Sequence, residues 1–111
     1  MSAAHDLDTT LAALADPHRR RVVDLLREGP RRAGDLAEAA RIAFPLMSRH
    51  LKKLRESGLV TEERDGLDSR VRIYRLRAEP MADLKAWLEE TEALWTRQLL
   101  AFKAQFPKGR K

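Results

Sequence analysis

The 111 residues contain no cysteine. That excludes disulfides, thiolate metal ligands and thiol redox chemistry, and it fits a reducing compartment. Glycine and proline number only 5 each, too few for a loop-rich or low-complexity chain, so a mainly helical single domain is expected. No run of about 18 apolar residues is present, and the N-terminus lacks the basic and hydrophobic regions of a signal peptide. The expected location is therefore the cytoplasm, with no membrane partner. A phosphate-cradling glycine loop, a serine-histidine-acid arrangement and metal-ligand spacings are also missing, which argues against an enzyme.

Charge is present in plenty and unevenly spread. From Arg19 to Arg77 there are 16 Lys and Arg against 9 Asp and Glu, and the remainder holds 6 against 8, so a segment of +7 sits in a chain of net +5. Arginine dominates the excess, and its planar fork suits phosphate oxygens and guanine edges. Attraction to a polyanion thus belongs to the middle of the chain.

Within that middle, Gly34 to Val60 encodes two short amphipathic helices joined by a turn at Arg41-Ile42-Ala43. In the second, at about residues 45–57, Met47, Leu51 and Leu54 recur at i, i+4 and i+7 and face a core. Pro45, Arg49, Lys52, Lys53 and Glu56 then lie opposite, with Ser48 on one flank and Leu46 and His50 on the other. An exposed basic helix of this size fits a DNA major groove. Leu46, Ser48 and Arg49 are placed for base edges, Arg49 being suited to bidentate contact with guanine, while Lys52 and Lys53 suit phosphates. His50 fits a packing or phosphate-contact role better than metal ligation.

The flanking segments supply a scaffold. Leu7, Leu11 and Leu14 form an apolar line behind Asp6 or Asp8 as candidate caps. Asp16-Pro17 reads as a cap followed by the first residue of a helix that turns Val22, Leu25 and Leu26 inward and closes at Gly29-Pro30. Arg19, Arg20 and Arg21 near its start could touch phosphates, but basic residues in a first turn oppose the helix dipole, which favours an ionic or packing role for Arg19. A third helix, about 34–40, turns Leu36 and Ala37 inward.

After Gly58 the period changes to two, and residues 60–76 form a hairpin whose tip runs through Asp65-Gly66-Leu67-Asp68-Ser69-Arg70. Asp65 and Asp68 are suited to order this tip by side-chain to backbone hydrogen bonds. A hairpin directly after a recognition helix is a wing, and Arg64, Arg70 and Arg72 fall where a wing meets phosphates or a minor groove.

From about residue 80 to 105 a last helix carries Met81, Leu84, Leu88, Trp95, Leu99, Phe102 and Phe106, with Trp87 and Leu94 widening the stripe. One helix of a small domain cannot hide so much aromatic surface, so a symmetric dimer is expected. Its interface would use Leu7 and Leu11 of the first helix with Leu84, Trp87, Leu88, Trp95, Leu99 and Phe102 of the last. Glu89, Glu90 and Glu92 on the other face would repel DNA and anionic lipid. The basic tail, 108–111, is expected to fray.

L-A-D-P-H-R-R-R-V-V-D-L-L at Leu14 to Leu26, D-L-A from Asp35, S-R-H-L-K-K-L at Ser48 to Leu54, G-L-V from Gly58 and Y-R-L from Tyr74 together resemble the ArsR family of winged helix-turn-helix repressors. The resemblance spans nearly the whole chain. It implies a fold that is mainly α with a small β-hairpin, dimerising through its first and last helices, and one domain over 1–107. It also implies binding to double-stranded DNA at an inverted repeat near the protein's own promoter. Ser48, Arg49 and His50 match the family's recognition-helix positions, and Arg64 to Arg72 match its wing. Two departures stand out, because Arg41 and Ala43 occupy places where many such repressors have a turn glycine and a Ser or Thr cap.

No cysteine ligand exists, and His5, His18 and His50 have no i, i+4 histidine partner and lie outside the last helix. The chain therefore resembles the metal-independent branch, with no cofactor, no metal site and an unknown small-molecule effector. A protein-interaction module or a sequence-indifferent DNA binder on the same fold remains the alternative.

Overall fold

The computed structural model describes residues 3–105; the expectations for Phe106 and for the tail at 108–111 lie outside them. The junction between the first two helices shows how local chemistry sets the frame. Helix α1 spans Ala3–Leu14 and α2 spans Pro17–Leu26. Asp16 caps α2, accepting hydrogen bonds from the backbone amides of His18 at 2.7 Å and Arg19 at 3.2 Å, and Pro17 follows where no amide is needed. Burial works against ionisation of Asp16, but these two amides and the charges of His50 and Arg19 outweigh it and hold the carboxyl below its ordinary range. Arg19 Nε donates to the carbonyl of Ala13 at 2.7 Å, and the Arg20 guanidinium donates to that of Leu14 at 2.7 Å. Both cations thus satisfy the last carbonyls of α1, where the helix dipole favours positive charge. Arg19 is structural, as its position suggested. Asp6 and Asp8, in contrast, do not cap α1, because the helix begins at Ala3 and runs through both.

Helix α3 spans Ala33–Ala40 and α4 spans Phe44–Glu56. Leu36 and Ala37 are buried, as are Met47, Leu51 and Leu54. The turn between them is closed by the amide of Ile42 donating to the carbonyl of Ala37 at 3.0 Å, which requires Arg41 to be left-handed, at φ 58° and ψ 46°. A side chain in that region is strained by about 1 kcal/mol. Arg41→Gly is accordingly expected to raise unfolding stability by about 0.5–1 kcal/mol, measurable as a higher urea midpoint at unchanged slope. Unchanged or lower stability would mean that the arginine has compensating contacts. Ala43 offers no side-chain cap to α4. At the other end Gly58, at φ 81°, lets the amide of Leu59 reach back to the carbonyl of Leu54 at 3.0 Å and sends Leu59 into the core.

Strands β2, Val60–Arg64, and β3, Arg72–Leu76, pair antiparallel with Glu62 opposite Tyr74. A third strand, β1 at Arg31–Arg32, adds to the free edge of β3, so the order is β1-β3-β2. Nothing in the sequence pattern announces β1, because two residues have no period. The core is Val22, Leu25, Leu26, Leu36, Met47, Leu51, Leu54, Leu59, Val60 and Tyr74 with smaller neighbours, and it lies between α2, α3, α4 and the sheet.

Helix α5 spans Ala78–Gln105, 28 residues and about 42 Å at the standard rise, beginning two residues before the expected start at Pro80. It packs beside α1, and Met81 at its start touches the core. Beyond that it stands apart from the domain, and none of its side chains is buried. Trp87, Leu88, Trp95, Leu99 and Phe102 are exposed on it, Trp95 to 66%. Leu84 and Leu7 are half-buried, and Leu11 is exposed. Among the described residues no helix is long and apolar enough to cross a membrane.

Candidate nucleic-acid interface

Because α4 buries only the stripe made by Met47, His50, Leu51 and Leu54, the rest of its surface is open. Leu46, Ser48, Arg49, Lys52 and Lys53 are all exposed there. Among the described residues no side-chain hydrogen bond or ion pair engages Arg49, Lys52 or Lys53. Lys53 and Arg55 also lie in the last turn, where the helix dipole favours cations.

His50 departs from the expected set. It is 8% exposed, its ring lies 5.5 Å from that of His18, and its Nε2 is buried without a hydrogen-bond partner. Standing one turn after Met47 and one turn before Leu54, it widens the apolar stripe instead of flanking the basic one. In the protomer His50 therefore packs with the core instead of facing outward with Arg49. Burial lowers its pKa from the ordinary 6.5; Asp16 opposes this, and the charges of Arg19, His18 and Arg49 add to it. The unfolded chain thus binds a proton at a higher pH than the folded one. The stability tied to neutral His50 is complete above about pH 6.5 and is lost as pH falls through that value toward the lower folded pKa. Urea midpoints are expected to drop between pH 7.5 and 5.5 in the wild type and to drop less in His50→Leu; parallel curves would contradict this.

The wing arginines are placed as expected but are not idle. The Arg64 guanidinium donates to the carbonyl of Ser69 at 2.6 Å, Arg70 pairs with Asp68, and Arg72 pairs with Glu62 at 2.9 Å. Asp65 and Asp68 order the tip as expected, accepting from the amides of Leu67 at 2.9 Å and Arg70 at 3.0 Å. Hydrogen bonds from the side chain and the backbone of Arg70 hold the Asp68 carboxyl below its ordinary range.

Between α4 and the wing runs an open cleft of about 590 Å³. Phe44, Ser48, Lys52 and Arg55 form one wall, while Arg70, Arg72, Tyr74 and Glu62 form the other, with Arg32 near the N-terminus of α3. Arg64 does not line it. Sequence reasoning misses Phe44, Arg55 and Arg32 as residues lining this cleft. Arg55 stands seven residues after Ser48 and three after Lys52, so the same helical stripe could have found it. Arg32 could not have been found this way, since it reaches the site through β1 and an ion pair with Asp65 at 3.0 Å.

A recognition helix held against a three-helix core, followed by a two-stranded wing, defines a winged helix-turn-helix protein. The family model for "Bacterial regulatory protein, arsR family" matches residues 16–62, from the cap of α2 into β2. The HTH-type transcriptional regulator Rv2034 of Mycobacterium tuberculosis is 34% identical over 102 residues, covering 92% of this chain and 90% of the relative. The transcriptional repressor SdpR of Bacillus subtilis is 32% identical over 82 residues, covering 74% and 88%. In three dimensions the chain is similar to the solution structure of a homodimeric winged helix-turn-helix DNA-binding domain from Mycobacterium bovis, with a TM-score of 0.65 at 25% identity over 97% of this chain and 89% of that one. The chain belongs to the ArsR family of bacterial transcriptional regulators, and it is not an enzyme.

Proposed function

We propose that this chain is a sequence-specific transcriptional repressor that binds an inverted repeat in double-stranded DNA as a homodimer, without a metal ion as its signal. The observation that carries the reading is the open side of α4, where Leu46, Ser48, Arg49, Lys52 and Lys53 are exposed together. Leu46 and Ser48 are sized for base edges and Arg49 for bidentate contact with guanine; Lys52 and Lys53 grip phosphates. Arg64 and Arg70 bring the wing to the neighbouring backbone or minor groove, while Arg72, paired with Glu62, is held back from it. Acting on bacterial DNA, the protein works in the cytoplasm.

Dimerisation is supported by the exposed stripe of α5 beside α1 and by the homodimeric Mycobacterium bovis domain. Repression is supported by the name of the Bacillus subtilis relative. Two-fold symmetry would set the two α4 helices about one DNA turn, roughly 34 Å, apart in successive major grooves. The metal-independent reading is supported by the absence of cysteine and by the fact that the described part of α5 contains no histidine. Stoichiometric zinc or nickel binding that releases DNA would overturn it.

The test is selection of bound duplexes from a random pool, followed by titration at several salt concentrations. The expected result is a palindromic consensus with half-sites one turn apart and binding that weakens steeply with salt. Recovery of unselected, asymmetric duplexes would replace this reading with sequence-indifferent binding.

A further inference from the structure

The cleft between α4 and the wing is built differently from the open side of the helix. On the open side, among the described residues, no ion pair engages Arg49, Lys52 or Lys53. In the cleft Arg32 is paired with Asp65, Arg70 with Asp68, and Arg55 and Arg72 share one carboxylate, that of Glu62. Glu62 has the most side-chain partners of these acids. Its side chain is 17% exposed, and it accepts a hydrogen bond from the Tyr74 hydroxyl at 2.6 Å across the strand pair. Arg72 lies at 2.9 Å on one oxygen, and Arg55, from the recognition helix, at 3.0 Å on the other. Burial alone would discourage the charge, but Tyr74, Arg72 and Arg55 outweigh it and hold the carboxyl below its ordinary range. Burial, together with the same contact, raises the Tyr74 hydroxyl from 10.0 to about 12, so it remains a donor at any working pH.

We propose that Glu62 is a specificity-determining residue: a built-in stand-in for phosphate that occupies Arg55 and Arg72 and so withholds them from indiscriminate backbone contact. This rests on the DNA-binding reading above. Affinity for any duplex grows with each phosphate a protein neutralises, and that growth is the same for wrong and right sequences. A phosphate approaching Arg55 or Arg72 must displace a carboxylate that Tyr74 anchors in place. Random DNA therefore gains from the open cations of α4 but not from these two arginines. Discrimination is left to contacts that depend on base identity. Glu62 also bridges α4 and β2–β3, so the wing is held at one distance from the recognition helix.

Glu62→Gln removes the charge while keeping an oxygen for the Tyr74 hydroxyl. On random duplex the slope of log affinity against log salt is expected to steepen by about 1 to 2, at roughly 0.9 per phosphate newly contacted, and the ratio of selected to random affinity is expected to fall. Tyr74→Phe, which frees the carboxylate from its anchor but leaves both ion pairs, is expected to steepen the slope less than Glu62→Gln does. In the wild-type background Arg55→Gln and Arg72→Gln are each expected to leave the random-duplex slope unchanged, and in Glu62→Gln each is expected to take back part of the steepening. A folded Glu62→Gln protein with the wild-type slope overturns the proposal. If that variant does not fold, the single arginine variants decide, because a flatter random-duplex slope in either shows that the arginine was never withheld. Failure of the DNA-binding reading itself is a different result, namely a wild-type protein that binds no duplex or selects no operator.

Discussion

Trp95→Glu is expected to yield a folded protomer that no longer pairs and that loses about 10²- to 10⁴-fold in affinity for the inverted repeat. The folded protomer should persist because no side chain of α5 is fully buried and the one that packs on the core, Met81, lies near the start of the helix, far from Trp95. The core of Val22, Leu36, Met47, Leu51 and Leu54 is assembled without it. Pairing should fail because Trp95, 66% exposed on the protomer, is the more exposed of the two tryptophans that α5 offers to an interface. Burying such a ring is worth about 2–3 kcal/mol, a two-fold axis repeats the gain, and a glutamate in its place adds an unpaired charge. Each recognition helix would then have to hold its half-site alone. Sedimentation together with operator binding checks this. A dimer that survives the substitution would move the interface elsewhere, and a chain that unfolds would show that α5 belongs to the protomer core.

Arg49→Ala has the next largest expected effect, a loss of about 1–3 kcal/mol on the selected operator with relaxed base preference at one position per half-site. Arg49 is exposed near the start of α4, carries no ion pair among the described residues, and has a guanidinium free to make two parallel hydrogen bonds to a guanine edge. Lys53→Ala provides the contrast. A lysine that meets only phosphate should weaken operator and random duplex alike and flatten the salt slope by about 1. Equal losses on both kinds of DNA for both variants would remove the assignment of base reading to Arg49.

The helices, and the face each turns inward, are legible because they rest on spacing along the chain. Met47, Leu51 and Leu54 are buried where their periodicity puts them, and Asp16-Pro17 caps α2 as its residue types require. That a left-handed turn would strain Arg41 is legible too, but only the fold decides that the turn keeps that geometry and the strain is tolerated. Local rules fail where the outcome depends on width or on partners. Spacing puts His50 at the rim because a stripe read as i, i+4, i+7 is narrower than the one the core accepts. Asp6 and Asp8 look like caps because nothing local distinguishes an acid at a helix start from one in its first turns.

By itself the sequence determined which segments are helical, which residues of α2, α3 and α4 lead into the core, where the wing turns, and that the positive charge gathers in the middle of the chain. Each of these follows from period, capping chemistry or composition, all of which are properties of neighbours along the chain. Tertiary structure alone decided that Arg31 and Arg32 complete the sheet, that His50 is enclosed against His18, and that Glu62 ties Arg55 of the recognition helix to Arg72 and Tyr74 of the adjoining strand. Those contacts join residues far apart in sequence. Their strength depends on burial and on distances of about 3 Å that no linear pattern encodes.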